Sequence, residues 1–435
     1  MSKSPRTERR RWAIDLRPLS IASYRRMWIG SAFQNYGYQF TAVAVPVEMF
    51  SLTRDSFWVG LLGVAALVPL LVFGLWGGAL ADALDRRKLL IVGSWVLWLG
   101  TLGFLVQSLA GWDKPWLLLV FTAVQSTAFA LTNPTRSAII PRLVPPHLVP
   151  SANTLSFTTG EAGVVLGPLT AGVIFATWNL PTALPIAYAC DALLFTVGMW
   201  STLRLPPIPP AEKAAKAGLR SVVEGFRYLA GAPVLLLSFA IDIIAMTIAM
   251  PRALFPEIAD ERFGGGAAVG WLFSAIAIGS VLGGLTSGWI GRIRRQGLAL
   301  VGAVVAWGVL VGLAGFAHSL WLMVLVLALA GAADLVSAVF RHSILLVYAP
   351  DQMRGRLQGA MTVVVAGGPR LGDLRAGATA ALWGVGLAFS AGGFVAAGLA
   401  IGLALVFPAL TRYRSPDIEP DPRPAVAPEP ISSAS

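Results

Sequence analysis

Long apolar runs of about 20 residues recur from one end of the chain to the other, and only short polar joints separate them. A run of this length crosses the roughly 30 Å hydrocarbon core of a bilayer as an α-helix, which satisfies its own backbone hydrogen bonds in lipid. The pattern therefore predicts an all-α membrane protein with twelve transmembrane helices. The predicted spans are 28–49, 57–80, 89–111, 116–141, 152–176, 182–203, 233–255, 267–290, 297–317, 320–348, 357–379 and 381–408.

Composition supports this class of protein. The chain has 435 residues, of which 56% are hydrophobic and 13% charged, whereas about 25% of the residues in an average soluble domain are charged. The net charge of +11 is spread over short loops and tails, which favours a membrane surface and offers no groove for nucleic acid. Cys190 lies within an apolar run and, as the one cysteine, cannot form an intrachain disulfide.

The basic residues lie mainly on one side of the predicted membrane. About 25 of the 33 Lys and Arg residues fall in the tails and in the loops on the side of the termini. The positive-inside rule then predicts that both termini are cytoplasmic and that the span count is even. Before the first span we find no short apolar core with a cleavage site, so we expect no removable signal peptide and a multi-pass protein of the bacterial inner membrane.

The chain divides into two halves of six spans. Residues 204–232 form the longest polar stretch between spans, which opens with prolines and continues as an amphipathic helix. When residues 136–172 are aligned with 341–377, Arg136 falls on Arg341 and several glycines coincide. This internal repeat predicts two parallel, pseudo-symmetric six-helix bundles, as in transporters that rock around a central site; a chance match of glycines is the alternative. The predicted organisation is a basic cytoplasmic tail at 1–27, bundles at 28–203 and 233–408, a cytoplasmic linker at 204–232 and a disordered cytoplasmic tail at 409–435.

The junction between the second and third spans, GGALADALDRRK, resembles the loop signature of the major facilitator superfamily. In that signature a glycine precedes an acid at the end of the second helix, and a basic cluster follows. The resemblance implies the major facilitator fold and a cytoplasmic gate motif, with a simple topology anchor as the alternative. Ala83 and Asp85 depart from the signature. The matching residues are Gly78, Asp82, Arg86, Arg87 and Lys88.

The fifth span contains GEAGVVLGPLTAG, which resembles a motif of antiporters in the same superfamily. Small residues allow helices to approach closely and proline bends a helix, so plain helix packing is an equally good interpretation. Other stretches, among them YRRMWIG, VAVPVEMFSLT and LFPEIAD, resemble the branch that contains bacterial enterobactin exporters, and this similarity covers nearly all twelve helices. The matching residues of the antiporter-like motif are Gly163, Gly167, Pro168 and Gly172.

The chain has no G-x-x-x-x-G-K-[ST] phosphate loop and no soluble domain to hold one, so a proton gradient is the expected energy source. Ionisable groups within a membrane are unfavourable there and usually functional. Asp242 and Asp334 lie near the middle of the seventh and tenth spans, which line the central cavity of the family that the chain resembles. With Glu161 of the fifth span they are candidates for proton or substrate coupling; fixed ion pairs and helix packing are the alternatives.

The first span carries polar and aromatic side chains in the stretch FQNYGYQF. Asn35 and Gln39 share one helical face and are candidates for hydrogen bonds to a substrate. Tyr36 and Tyr38 are candidates for stacking on a substrate ring, although tyrosine also marks membrane interfaces.

Three arginines within spans are further candidates. Arg252 is expected to contact an anionic group of the substrate. Arg136 and Arg341, which the repeat relates, are candidate gate ion pairs, with snorkelling anchors as the alternative.

These features predict a secondary active transporter that works by alternating access, and the resemblance to the enterobactin exporter branch implies that it exports a catecholate siderophore in exchange for protons. A multidrug efflux pump for hydrophobic drugs is the alternative, and a transport-inactive sensor or assembly partner is a remoter one. We find no nucleophile, metal cluster or cofactor motif in the sequence, so we expect no enzymatic activity, no cofactor and no metal. The expected partners are a small-molecule substrate, protons and the lipid bilayer, without nucleic acid, and we expect a monomer.

Overall fold

The computed structural model describes residues 15–83, 85–205 and 219–414, and within these ranges the regular structure consists of α-helices and short 3₁₀ turns. The helices are α1 Ala22–Thr53, α2 Ser56–Ala83, α3 Arg86–Ala110, α4 Pro115–Leu143, α5 Val149–Thr177, α6 Leu180–Leu203, α7 Leu219–Gly231, α8 Pro233–Ile248, α9 Phe255–Phe263, α10 Ala267–Leu285, α11 Gln296–Ala314, α12 Leu320–Tyr348, α13 Asp351–Trp383, α14 Val385–Val406 and α15 Pro408–Thr411.

The long helices α1–α6, α8 and α10–α14 correspond one to one with the predicted spans. Within the described ranges, 10 helical segments are long and apolar enough to cross a membrane. Helices α1 and α13 are not among those segments, although they are 32 and 33 residues long. Both have unusually polar sequences, because α1 contains FQNYGYQF and α13 carries several arginines and aspartates. Polar groups within spanning helices are unfavourable in lipid, so these two helices are the ones to inspect for function.

Prolines within two of the predicted spans have different effects on the helices. The seventh predicted span, 233–255, lies within the segment Pro233–Phe263, which is long and apolar enough to cross a membrane. The helix is interrupted within it, because α8 ends at Ile248 and the chain passes through the 3₁₀ turn Arg252–Leu254 into α9. Pro251 lacks the backbone N–H that a continuing helix needs at that position. In contrast, α13 continues through the charged stretch AGGPRLGDLRAG with Pro369 inside it.

Helices α1–α6 pack against one another, and so do α8 and α10–α14. Contacts between these two groups are made mainly by α2 with α13 and by α5 with α10. They lie towards the end of the bundle opposite to Asp15 and Arg414, which we call the far end.

Glycines allow the backbones of the two groups to touch at the far end. A Cβ atom on Gly172 of α5 would lie 2.8 Å from the Cα atom of Gly270 on α10. A Cβ atom on Gly60 of α2 would lie 2.7 Å from the carbonyl oxygen of Asp373 on α13. Real Cβ atoms do not approach backbone this closely, so these contacts require residues without a side chain.

Polar side chains also connect the two groups of helices at the far end. Arg54 ends α1 in a left-handed conformation with φ of 51°, and its guanidinium lies 2.6 Å from the carboxylate of Asp260 on α9. The hydroxyl of Ser56 donates a hydrogen bond to Glu257. The far end is therefore closed by backbone contacts and by bonds between the halves.

Candidate functional site

A cavity of about 230 Å³ lies between the two groups of helices, next to the far-end contacts. Helices α1–α4 line it from one side, and α10, α13 and the 3₁₀ turn after α8 line it from the other. The lining combines apolar and aromatic groups with a few polar ones, which is the usual composition of a small-molecule site. Its polar residues are Tyr38, Thr41, Thr122, Gln125, Arg252, Arg370 and Asp373, and its aromatic residues besides Tyr38 are Phe104 and Phe273.

Arginine dominates the charge of the cavity. Arg252 and Arg370 both line it, together with the single carboxylate of Asp373. The Asp373 carboxylate accepts a hydrogen bond of 3.2 Å from the backbone N–H of Ala253, and it interacts electrostatically with Arg252, Arg370 and Arg375. One acid thus offsets part of the positive charge, and the remaining excess favours an anionic ligand.

The polar candidates of the first span divide between the cavity and α5. Tyr38 lines the cavity. The side-chain amide of Asn35 donates 3.1 Å to the carbonyl oxygen of Gly160, and the hydroxyl of Tyr36 donates 2.9 Å to Thr170. Gln39 is buried against Gly167.

Two of the candidate coupling acids lie around Arg341 in the second half. Arg341 on α12 and Asp242 on α8 form an ion pair, and their side chains are 6% and 1% exposed. Asp334 lies seven residues before Arg341, on the same side of α12, and interacts electrostatically with both partners. The second oxygen of Asp242 is buried without a hydrogen-bond partner among the described residues. Glu161, the third candidate acid, is half-buried on α5.

Arg136, the residue that the repeat relates to Arg341, has neutral partners. It donates hydrogen bonds of 2.7 Å to the hydroxyl of Ser31 and 2.5 Å to the amide oxygen of Gln34, both on α1. The first half therefore holds its arginine by neutral groups at the position where the second half uses a carboxylate.

The predicted gate motif lies where α2 ends and α3 begins. For Gly78 and Asp82 the structure describes the backbone, and their side chains lie outside the description. Arg86 is buried and Lys88 is exposed, while the guanidinium of Arg87 donates 2.8 Å to the carbonyl oxygen of Leu203. Asp85 accepts a hydrogen bond of 2.8 Å from the backbone N–H of Arg87 and so caps α3.

The glycines of the antiporter-like motif face two different neighbours. Gly163 and Gly167 pack against side chains of α1, whereas Pro168 and Gly172 pack against Gly270 of α10 in the other half. The hydroxyl of Ser274 on α10 also donates 2.9 Å to the carbonyl oxygen of Val165. Through this motif, α5 packs against α1 of its own half and against α10 of the other half.

The sequence candidates did not include the polar cavity residues Thr41, Thr122, Gln125 and Arg370. Thr41 and Gln125 are uncharged and lie inside apolar runs, so hydropathy gives only a weak signal for them. Arg370 belongs to the charged stretch of α13, where the sequence alone does not show which charges face the cavity. In the described part of the chain, no group of three or more His, Cys, Asp and Glu residues is placed to hold a metal ion.

A family model for transmembrane secretion effectors matches residues 13–431. The chain belongs to this family of the major facilitator superfamily. It is 28% identical to the enterobactin exporter EntS of Shigella boydii serotype 18 over 415 residues, which cover 93% of this chain and 96% of that protein. The EntS protein of Escherichia coli O81 matches with the same identity and coverage.

Solved structures show the same fold. The nucleoside transporter NupG superposes with a TM-score of 0.71 at 17% identity, and the superposition covers 90% of this chain and 100% of NupG. The predicted major facilitator fold and the resemblance to the enterobactin exporter branch are therefore confirmed. The protein is a multi-pass membrane transporter.

Proposed function

We propose that this transporter exports a catecholate siderophore of the enterobactin class from the cytoplasm across the inner membrane, in exchange for protons. The observation that carries the proposal is the arginine-rich, partly aromatic cavity between the halves. The similarity to proteins named enterobactin exporters, over nearly the whole chain, supports it.

The cavity chemistry suits a catecholate. Guanidinium groups bind pairs of anionic oxygens through parallel hydrogen bonds, and Arg252 and Arg370 can offer these to the two catechol oxygens. Tyr38, Phe104 and Phe273 supply ring faces and edges for the aromatic part. The cavity of about 230 Å³ is smaller than the about 300–1,000 Å³ typical of sites for drug-sized ligands, so in this state it holds one part of a large substrate.

The far-end contacts support alternating access. With the termini in the cytoplasm, as the positive-inside rule predicts, the far end is the outer end and the described state is closed to the outside. In the opposite state the halves separate at Gly172 and Gly60, and the gate motif with Asp82 and Arg86 closes the cytoplasmic side. We propose that one chain performs this cycle as a monomer.

Proton coupling is assigned to the acids of the second half. When Asp242 takes up a proton, it loses its charge attraction for Arg341, and the guanidinium is released towards Asp334. This exchange of partners links proton uptake to a rearrangement of α8 against α12. Glu161 is the candidate in the first half, at the level where α5 meets Asn35.

Multidrug efflux is the second candidate function. The observation in its favour is the apolar part of the lining, which includes Val45, Val59 and Leu62. An apolar surface binds hydrophobic drugs without a requirement for anionic groups.

Export by reconstituted protein tests the proposal. In proteoliposomes with an imposed pH gradient, we expect the wild type to accumulate enterobactin, and we expect this accumulation to stop when an uncoupler removes the gradient. Arg252→Gln should weaken enterobactin binding by about 10- to 150-fold, because a hydrogen bond to a charged group contributes about 1.5–3 kcal/mol. The matched control is Lys114→Gln, an exposed cation outside the cavity. Transport of the cationic drug ethidium without transport of enterobactin would instead establish multidrug efflux.

A further inference from the structure

A buried acid in the first half lies behind the wall of the cavity. Asp191 on α6 is 1% exposed. Its Oδ2 atom accepts hydrogen bonds from the hydroxyl of Thr41 on α1 at 2.5 Å and from the hydroxyl of Thr101 on α3 at 3.2 Å. Its Oδ1 atom is buried without a hydrogen-bond partner among the described residues. The sequence repeat and the gate motif do not account for this group.

Two short polar routes connect Asp191 to the cavity. Thr41 itself lines the cavity, so a single hydroxyl separates the cavity from Oδ2. Gln125 also lines the cavity, and its side-chain amide donates 2.9 Å to the hydroxyl oxygen of Thr101. Both routes end at the same carboxylate oxygen.

Among the described residues, the neighbours of Asp191 provide no fixed counter-ion for its charge. Helix α1 presents Thr41 and Gly37 to it, α3 presents Thr101, and the titratable neighbour on α6 is Cys190. On α5, the ionisable side chain is Glu161, which lies near the level of Asn35. None of the hydrogen bonds that Asp191 accepts within the described ranges comes from a cation. Asp242 and Asp373, in contrast, both interact with arginines.

We propose that Asp191 is a proton-carrying site of the first half, loaded from the cavity through Thr41. The proposal rests on proton coupling as proposed above. In the transfer, a hydronium ion in the cavity gives one proton to the Thr41 oxygen while Thr41 passes its own hydroxyl proton to Oδ2. Thr41 remains a hydroxyl, water is left in the cavity, and the carboxylate becomes a neutral carboxylic acid. The reverse transfer returns the proton.

The proton state of Asp191 affects the packing of the first half. An ionised carboxylate without a counter-ion is unfavourable in a water-poor site, so it favours states in which water reaches it through the cavity. A neutral acid tolerates closure of α1 against α6. The proton thus selects between states that differ in hydration at this point.

Infrared difference spectra of the purified full-length protein test the site without any substrate. A pH titration of the wild type should show the C=O band of a protonated carboxyl group that is absent from Asp191→Asn. The matched control is Glu48→Gln, which removes another buried acid, one that is bound by Gln107 and Tyr188 and is not part of the cavity lining. This variant should keep the Asp191 band. The same band in Asp191→Asn would overturn the proposal.

A second variant separates the relay from folding. Thr41→Val keeps the shape of the side chain and the acid but removes the hydroxyl, so the Asp191 band should remain and its hydrogen exchange in heavy water should slow. Exchange at the wild-type rate would overturn the relay through Thr41.

Transport then distinguishes this inference from the proposed function. A gradient of about one pH unit supports about tenfold accumulation for each proton exchanged, equivalent to about 1.4 kcal/mol. Asp191→Asn should therefore lower the accumulation of enterobactin about tenfold, and Glu48→Gln should not. If the pH gradient does not drive accumulation by the wild type, the proposed function is contradicted. If it does, and Asp191→Asn accumulates as much enterobactin as the wild type, only the role of Asp191 is contradicted.

Discussion

The two arginines that the sequence repeat relates have different partners in the two halves of the molecule. Arg341 is paired with the carboxylate of Asp242, whereas Arg136 is held by the uncharged groups of Ser31 and Gln34. Removing one charge from a buried ion pair leaves the other charge uncompensated, which is far less favourable than losing a neutral hydrogen bond. The two related arginines should therefore respond differently to substitution of their partners.

The first prediction concerns the stability of the Arg341 pair. Asp242→Asn should lower the free energy of unfolding by about 3–5 kcal/mol, because Arg341 stays buried without its counter-charge. The double variant Asp242→Asn/Arg341→Gln should recover most of that stability, since both charges are gone. Thermal unfolding in detergent measures both effects.

The control for this prediction is Gln34→Leu in the first half, which removes a neutral partner of Arg136 and should destabilise the protein less than Asp242→Asn does. A double variant as unstable as Asp242→Asn alone would contradict the assignment of an ion pair. If Asp242 couples a proton as proposed, the stable double variant should also lose the accumulation that this proton supports, about tenfold for a gradient of one pH unit.

At the scale of helices, the closure of the far end depends on positions without a Cβ atom. The backbones of α5 and α10 meet at Gly172 and Gly270, and those of α2 and α13 meet at Gly60. Backbone atoms cannot move aside as the end of a flexible side chain can. One added methyl group should therefore act on the position of a whole helix.

Gly172→Ala should open the far end. The new Cβ atom would lie 2.8 Å from the Cα atom of Gly270, so α5 and α10 must separate. Spin labels on cysteines at the exposed loop positions Asn179 and His318, in a Cys190→Ser background, should report a longer distance between the halves. Gly302→Ala is the matched control, because nothing lies within 4 Å of a Cβ atom at that helical position. Equal distances in the two variants would show that Gly172 does not limit closure.

Hydropathy along the chain predicted the helices well and their relative placement poorly. The all-α class and the twelve spans follow from apolar runs, because each span must satisfy its own backbone in lipid. The break after α8 depends on Pro251, whose effect a window of average hydropathy does not register. In α13, Pro369 is accommodated within one helix, and Arg370 and Asp373 line the cavity between the halves.

The candidate site was predictable only in part, because it is assembled from helices far apart in sequence. Asp242 and Arg341 are separated by 99 residues, so the sequence marks each as a charge in a span without showing that they pair. Arg252 and Tyr38 were candidates and line the cavity, while Asn35 and Gln39 contact α5. Helical spacing identified which residues share a face, and only the tertiary packing decides what that face meets.

At the scale of the whole molecule, the distribution of basic residues predicts the orientation of the protein in the membrane. The loops after α2 and α10 carry clusters of arginine and lysine on the side of the termini, and the loop before α4 lies at the far end. With cytoplasmic termini, the closed far end is the outer end, and this conformation is the outward-closed state.

Accessibility labelling in intact cells checks this orientation. Single cysteines replacing Lys88 and Arg292 in a Cys190→Ser background should react only with a membrane-permeant thiol reagent, whereas one replacing Lys114 should also react with an impermeant reagent. All three positions are exposed, so their reactivity reports the side of the membrane. Opposite sides for Lys88 and Arg292 would contradict both the threading and the paired six-helix halves.

The glycine contact between α5 and α10 has a consequence for the speed of the cycle. Gly172 and Gly270 meet through their backbones, so separating them at this point loses weak dispersion contacts, and the Ser274 hydrogen bond nearby is lost as well. Glycine has no side chain, so these positions need no side-chain rearrangement when α5 and α10 come together again. We therefore expect that separating α5 from α10 at these glycines adds little to the time that one transport cycle takes.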